Sequence, residues 1–122
     1  MNILIDTHIF LWLAAGSFEK IDKMDYLRDE NNNLFISSIS IAEISIKISI
    51  GKLKFDGDIL AVLKNMRVDI INFDAKSALV LETLPFYHRD PFDRMIISQA
   101  IIQNYIICSN DRKFKLYDCR ML

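Results

Sequence analysis

The 122-residue sequence predicts an α/β fold: three layers, α/β/α, around a mostly parallel sheet of four or five strands. Two observations carry the prediction. Short apolar runs with strand character alternate along the whole chain with segments of helical period. The chain holds only three glycines and two prolines, so the links are short and the crossovers between strands must be helical and right-handed. The length suits one hydrophobic core, hence a single domain over residues 1–122.

"NILI" (Asn2 to Ile5) reads as a short buried strand, and "THIFLWLAA" as a helix ending near Gly16. A second helix is expected over Ile21 to Asp29, a turn at "ENNN" (Glu30 to Asn33), and a strand at Leu34 to Ser37. "SISIAEISIKISIGKL" is two-sided. Its isoleucines alternate as in a strand, but the alternation changes phase after Ile41. The spacings Ile41-Ile44-Ile48 and Ile46-Ile50-Leu53 are helical, Ser40-x-x-Glu43 is a capping-box pattern, and Gly51 suits a helix end. Helix is therefore the expectation. "DILAVLKNM" predicts a helix, "VDIINF" (Val68 to Phe73) a strand, and "DAKSALVLETL" a helix stopped by Pro85. "PFDRMIISQAIIQN" predicts a long helix with Pro91 at its first position, Tyr105 to Ser109 a strand, and Arg112 to Tyr117 a short helix.

Apolar residues at 52% and charged ones at 25% exclude a disordered chain, and a net charge of -1 excludes a global basic field for nucleic acid. Any polyanion site must be local. Cys108 and Cys119 lie in apolar surroundings with no metal-type spacing, so they are expected as buried free thiols in a reducing compartment. The apolar N-terminal stretch is interrupted by Asp6 and His8 and lacks a basic flank, so it reads as core rather than leader or membrane span, and the chain as cytoplasmic.

The acidic residues form the pattern of interest. Asp6 follows the first strand, Glu43 lies in the helix after the second, Asp90 and Asp93 open the long helix, and Asp111 follows "YIICS". In a parallel sheet the strands' carboxyl ends and the helix N-termini share one edge, where ligands bind. Each acid has a local explanation: Asp6, Asp90 and Asp111 as N-caps, Glu43 as half of a capping box, Asp93 as a helix-terminus acid. Those explanations give no reason for the acids to face one another. If they do converge, their repulsion calls for a divalent cation, and oxygen donors without a His or Cys cluster favour Mg²⁺ or Mn²⁺ over Zn²⁺.

"LIDTHIFLW", "SSISIAEISIKISIGKL", "HRDPFDRMIISQA" and "CSNDRKF" resemble, in order, the successive motifs of PIN-domain nucleases, among them the VapC-like toxins of bacterial toxin–antitoxin pairs. The resemblance covers nearly the whole chain, and "HRDPFDRM" is its most specific block. It implies a PIN-like fold and metal-dependent hydrolysis of RNA phosphodiesters. Asp6, Glu43, Asp93 and Asp111 match the family's acidic site, and Thr7 and Ser109 match supporting hydroxyl residues. Asp90 is an extra acid of this "RDPFDR" subtype, either ligand or cap. The last motif departs mildly, with Ser-Asn-Asp where relatives often have Thr-x-Asp. The mechanism implied places Mg²⁺ or Mn²⁺ on Asp6, Asp93 and Asp111, with Glu43 binding through water or orienting the attacking water, and leaves 5′-phosphate and 3′-hydroxyl ends. The partners implied are RNA, a small antitoxin whose tail folds onto the toxin, and a second copy in a homodimer.

Among basic residues, Lys47, Arg89, Arg94 and Lys113 are candidates for RNA phosphate, although Lys47 also stands in ordinary i,i+4 relation to Glu43. Phe10, Leu11 and Trp12 could be core or an exposed patch for a partner. His88 reads as a solvated loop residue. A free-standing RNA-processing nuclease fits the same residues. A phosphoreceiver domain needs an adjacent acidic pair after the first strand, and a haloacid-dehalogenase-type phosphatase needs Asp-x-Asp, whereas this chain has Asp6-Thr7-His8. A non-catalytic interaction module would bind no metal.

Overall fold

The computed structural model describes residues 1–122. Five strands, β1 (Asn2–Ile5), β2 (Asn33–Ser37), β3 (Val68–Ile71), β4 (Ile106–Cys108) and β5 (Arg120–Met121), form one sheet in the order β3-β2-β1-β4-β5. Every neighbouring pair is parallel. Six helices accompany them: α1 (Thr7–Ala14), α2 (Met24–Arg28), α3 (Ser38–Ser49), α4 (Ile59–Asn65), α5 (Ala75–Val80) and α6 (Pro91–Gln103).

The two-residue period of β1 explains the layers. Ile3 and Ile5 point into one core with Ile36, Ile9 and Phe10 of α1, Ile44 of α3 and Leu63 of α4. Leu4 points into the other with Ile107, Ile96, Ile97 and Ala100 of α6, and Phe114. A strand covered on both faces has no polar face, which is why "NILI" is a continuous apolar run.

The connectivity fixes where a site can form. The chain runs outward from β1 through β2 to β3, then returns to place β4 on the other side of β1. The carboxyl ends of β1 and β4 therefore flank the point where strand order reverses, the crevice position of open parallel sheets. Asp6 follows β1 directly, and its amide extends the ladder to Cys108 O at 3.1 Å.

The helix expected in the isoleucine-rich segment is present as α3, but its capping box is not. Ser37 is the N-cap, accepting from Ile39 N at 3.1 Å, while Ser40 and Glu43 lie further along the helix and are buried. The helix expected over Ile21 to Asp29 is shorter. A 3-10 turn at Phe18–Lys20 is followed by an extended, buried Ile21, and α2 begins only at Met24. Ile21 enters the core as a single anchor from the loop, so apolar spacing there does not report a helical face. The helix before Pro85 also stops early, at Val80. The last short helix is a 3-10 turn over Arg112–Leu116, and β5, to which the sequence gives no distinct run, adds a two-residue edge. Gly16 and Gly51, with φ of +71° and +72°, end α1 and α3 as a left-handed residue should.

Both cysteines are free thiols. Burial pushes the Cys108 thiol up to about 12, so it is expected to stay unreactive toward Ellman's reagent in the folded chain and to react on unfolding.

Candidate metal centre

Asp6 is nearly fully buried at the N-cap of α1, where one oxygen accepts from Ile9 N at 2.8 Å. Burial raises its pKa; a hydrogen bond from the Ser109 side chain and the Ile9 amide oppose that only in part. The cap and the site therefore use the same carboxylate, one oxygen facing the helix.

Glu43 is 2% exposed. From α3 it reaches α1, where the Thr7 hydroxyl donates to its Oε1 at 2.8 Å and itself lies 2.9 Å from Ser40 Oγ. Its Oε2 is paired with Lys47 Nζ at 2.6 Å. The i,i+4 pair is thus real, and its acid partner is buried. The Glu43 hydrogen bond raises the Lys47 pKa, with Asp90 and Asp93 adding to it, so the ammonium belongs to the acidic neighbourhood.

Asp93 stands at the third position of α6, its side chain 13% exposed. Burial pushes its pKa up to about 8, and the charges of Asp90, Asp6, Glu43 and Asp111 push the same way. All the acids singled out from the sequence thus act on one carboxyl group. Asp90 is the cap of α6: its Oδ1 accepts from Phe92 N at 2.8 Å and from Asp93 N at 3.3 Å. Asp111 is more open than Asp6, Glu43 and Asp93, its side chain 39% exposed. Burial raises its pKa, but the Lys113 amide and His88 outweigh that and hold it below the usual carboxylate range. Ser109 receives the Asp111 amide at 3.0 Å, so this one hydroxyl ties Asp6 and Asp111 together.

Two expectations need correction. His88 is not a solvated loop residue. It is 7% exposed, and its Nε2 lies 2.8 Å from Asp111 Oδ2 and 3.1 Å from Asp93 Oδ2. A histidine two residues before an N-cap is folded back to the helix mouth, and that spacing is the feature that could have flagged it. Arg94 is not an exposed rim cation. Its buried guanidinium donates to Pro85 O at 2.7 Å and Leu84 O at 3.0 Å and lies over the Phe86 ring, 4.1 Å from its centroid. One turn into α6, it points away from the acids and ties down the preceding loop. Of the two readings of Phe10, Leu11 and Trp12, Phe10 takes the core one, fully buried and stacked on Phe55, while Leu11 and Trp12 reach the surface. Arg89 and Lys113 are exposed.

Acids gathered at the switch point of a five-stranded parallel sheet define an α/β protein with an acidic centre. The chain belongs to the PIN-domain family, whose model, described as "PIN domain", matches residues 3–118. No curated protein matches the sequence. Among solved structures, it is similar over 100% of its length to 98% of a chain from VapBC2 of Rickettsia felis bound to a promoter DNA fragment, with 25% identity and a TM-score of 0.73. It is similar in fold to a VapBC-1 chain from nontypeable Haemophilus influenzae, with 22% identity, a TM-score of 0.68 and coverage of 100% and 97%. DNA-bound VapBC from Salmonella typhimurium gives 17% identity and a TM-score of 0.69, covering 100% of this chain and 97% of that one. No helix is long and apolar enough to cross a membrane.

Proposed function

We propose that this chain is a metal-dependent endoribonuclease and the toxin of a toxin–antitoxin pair. One observation carries the reading: Asp93 is buried among Asp90, Asp6, Glu43 and Asp111, and burial, with the charges of those four acids added to it, pushes its carboxyl group up to about 8. Folding gains nothing from that repulsion, and a hard divalent cation would remove it. Membership of a family whose nucleases generally use divalent metals supports the same reading.

Asp6, Asp93 and Asp111 would hold Mg²⁺ or Mn²⁺, and the oxygen-rich donor set fits both. When bound, the ion would neutralise charge on a phosphoryl oxygen and acidify water. Glu43 keeps its carboxylate fixed between Thr7 and Lys47, with one lone pair on each oxygen still free to accept from the attacking water. Lys47, Arg89 and Lys113 would meet substrate phosphates at the rim. The antitoxin would cover the apolar groove lined by Leu11, Trp12, Leu53, Phe55 and Val62. The VapBC neighbours support such a partner.

Expression of the chain alone in a bacterial host is expected to arrest growth, with new RNA 5′ ends mapped by sequencing. Asp6→Asn and coexpression of the antitoxin should each relieve the arrest. Wild-type RNA cleavage by Asp6→Asn in Mg²⁺ or Mn²⁺ would sink the assignment.

A further inference from the structure

We infer that His88 is a positioning residue whose Nε2–H holds Asp111 in place beside Asp93, and that it is not itself a metal ligand. The inference deepens the metal-centre reading above and rests on it for its metal-affinity arm. Taken by proximity alone, His88 would pass for a ligand, since its ring nitrogen and one oxygen each from Asp93 and Asp111 all lie within 4.8 Å of one another. The other ring nitrogen decides against that. Nδ1 accepts a hydrogen bond from the Asp90 backbone amide at 3.2 Å. An N–H cannot point at another N–H, so Nδ1 carries the lone pair and the ring proton sits on Nε2. A protonated Nε2 can donate to a carboxylate but cannot bind a cation.

The ring has no freedom to escape this role. The His88 amide donates to Tyr117 Oη at 2.7 Å, and that hydroxyl donates to Pro85 O at 2.7 Å. Phe114 meets the imidazole edge-on with centroids 5.8 Å apart. The two acids come from different elements, α6 and the loop after β4. Asp111 has one oxygen occupied by the Lys113 amide at 2.9 Å and offers the other to His88. The same Nε2 lies 3.1 Å from Asp93 Oδ2, so the imidazole whose N–H is directed at Asp111 also sets how closely the two carboxyl groups approach. The chain thus uses a helix cap twice: Asp90's side chain starts α6, and its amide fixes the tautomer that holds the site's acids.

Two measurements test this on the full chain. Nitrogen-15 NMR of the metal-free protein is expected to show the Nε2–H tautomer for His88; the Nδ1–H tautomer would overturn the clamp. Calorimetry with Mg²⁺ and with Mn²⁺ is then compared for wild type, His88→Gln and His88→Ala. Gln places an amide N–H near the reach of Nε2, so affinity for both ions should stay within about threefold, whereas Ala should weaken both by the same factor, roughly 10–100-fold. A His88→Gln variant that loses Mn²⁺ far more than Mg²⁺ would make His88 a ligand and overturn the inference. So would wild-type affinities in His88→Ala. If Ala fails to fold, the tautomer and the Gln variant still decide. Wild type binding neither ion would instead defeat the metal reading, and the tautomer alone would then uphold or overturn the clamp.

Discussion

Asp93→Asn is expected to melt about 4–8 °C above the parent near pH 8 in metal-free buffer, and to cleave no RNA. The folded chain holds the Asp93 proton up to about 8 against an ordinary value of 3.8, through burial first and the neighbouring acids second. Between those values folding takes up a proton, so the parent's stability falls as pH rises through the window and levels off above it. Asparagine does not titrate. The two melting curves should therefore lie close below about pH 4 and separate progressively toward pH 8, by about 1–2 kcal/mol after allowance for relaxation and residual solvent. Saturating Mg²⁺ or Mn²⁺ should reverse the order, because ligation stabilises the parent alone. Differential scanning calorimetry across pH, with chelator and with metal, reads both results. A variant less stable than the parent at pH 8 without metal would show that Asp93 is held charged by partners and not strained by repulsion.

Arg94→Ala is expected to lower the melting temperature by about 10–15 °C, equivalent to about 3–4 kcal/mol. The guanidinium serves the carbonyls of Leu84 and Pro85 and stacks on Phe86, and its removal takes the side-chain donor from the buried Leu84 carbonyl and leaves Pro85 O to Tyr117 alone. Arg94→Lys should rescue little, because one ammonium cannot reproduce a planar fork serving several carbonyls. Cleavage should fall as well, since the loop that Arg94 ties down carries His88. Thermal melts of the two variants give the result. A loss confined to RNA affinity, with stability intact, would return Arg94 to the substrate-facing group.

The central elements were legible because each was written in local code. β1, α1 with Gly16 behind it, and α6 with Asp90, Pro91 and the left-handed Asn104 at its ends are each signalled by residues inside or beside the element. The order of motifs along the chain also pointed to the acidic set. What stayed hidden was decided by contacts across the chain. Ser40 and Glu43 match a capping box by spacing, yet Ser37 caps α3, and α1 packs so that Thr7 claims Glu43. Arg94 looks like a rim cation in "DPFDRM" until the loop above it is seen to need donors. His88 gains its meaning from Asp111, 23 residues later. β5 is two residues long and has no pattern to read.

The central place of β1 has a consequence for synthesis. β1, synthesised well before β4, is completed on one side by β2 but on the other only by β4, and the Asp6 amide bonds to Cys108 O. Contacts so distant along the chain close late, since loop entropy must be overcome before they contribute. Asp6 and Glu43 therefore emerge long before the switch-point crevice exists. A nascent chain that still lacks β4 carries half of an acidic centre with nothing opposite it.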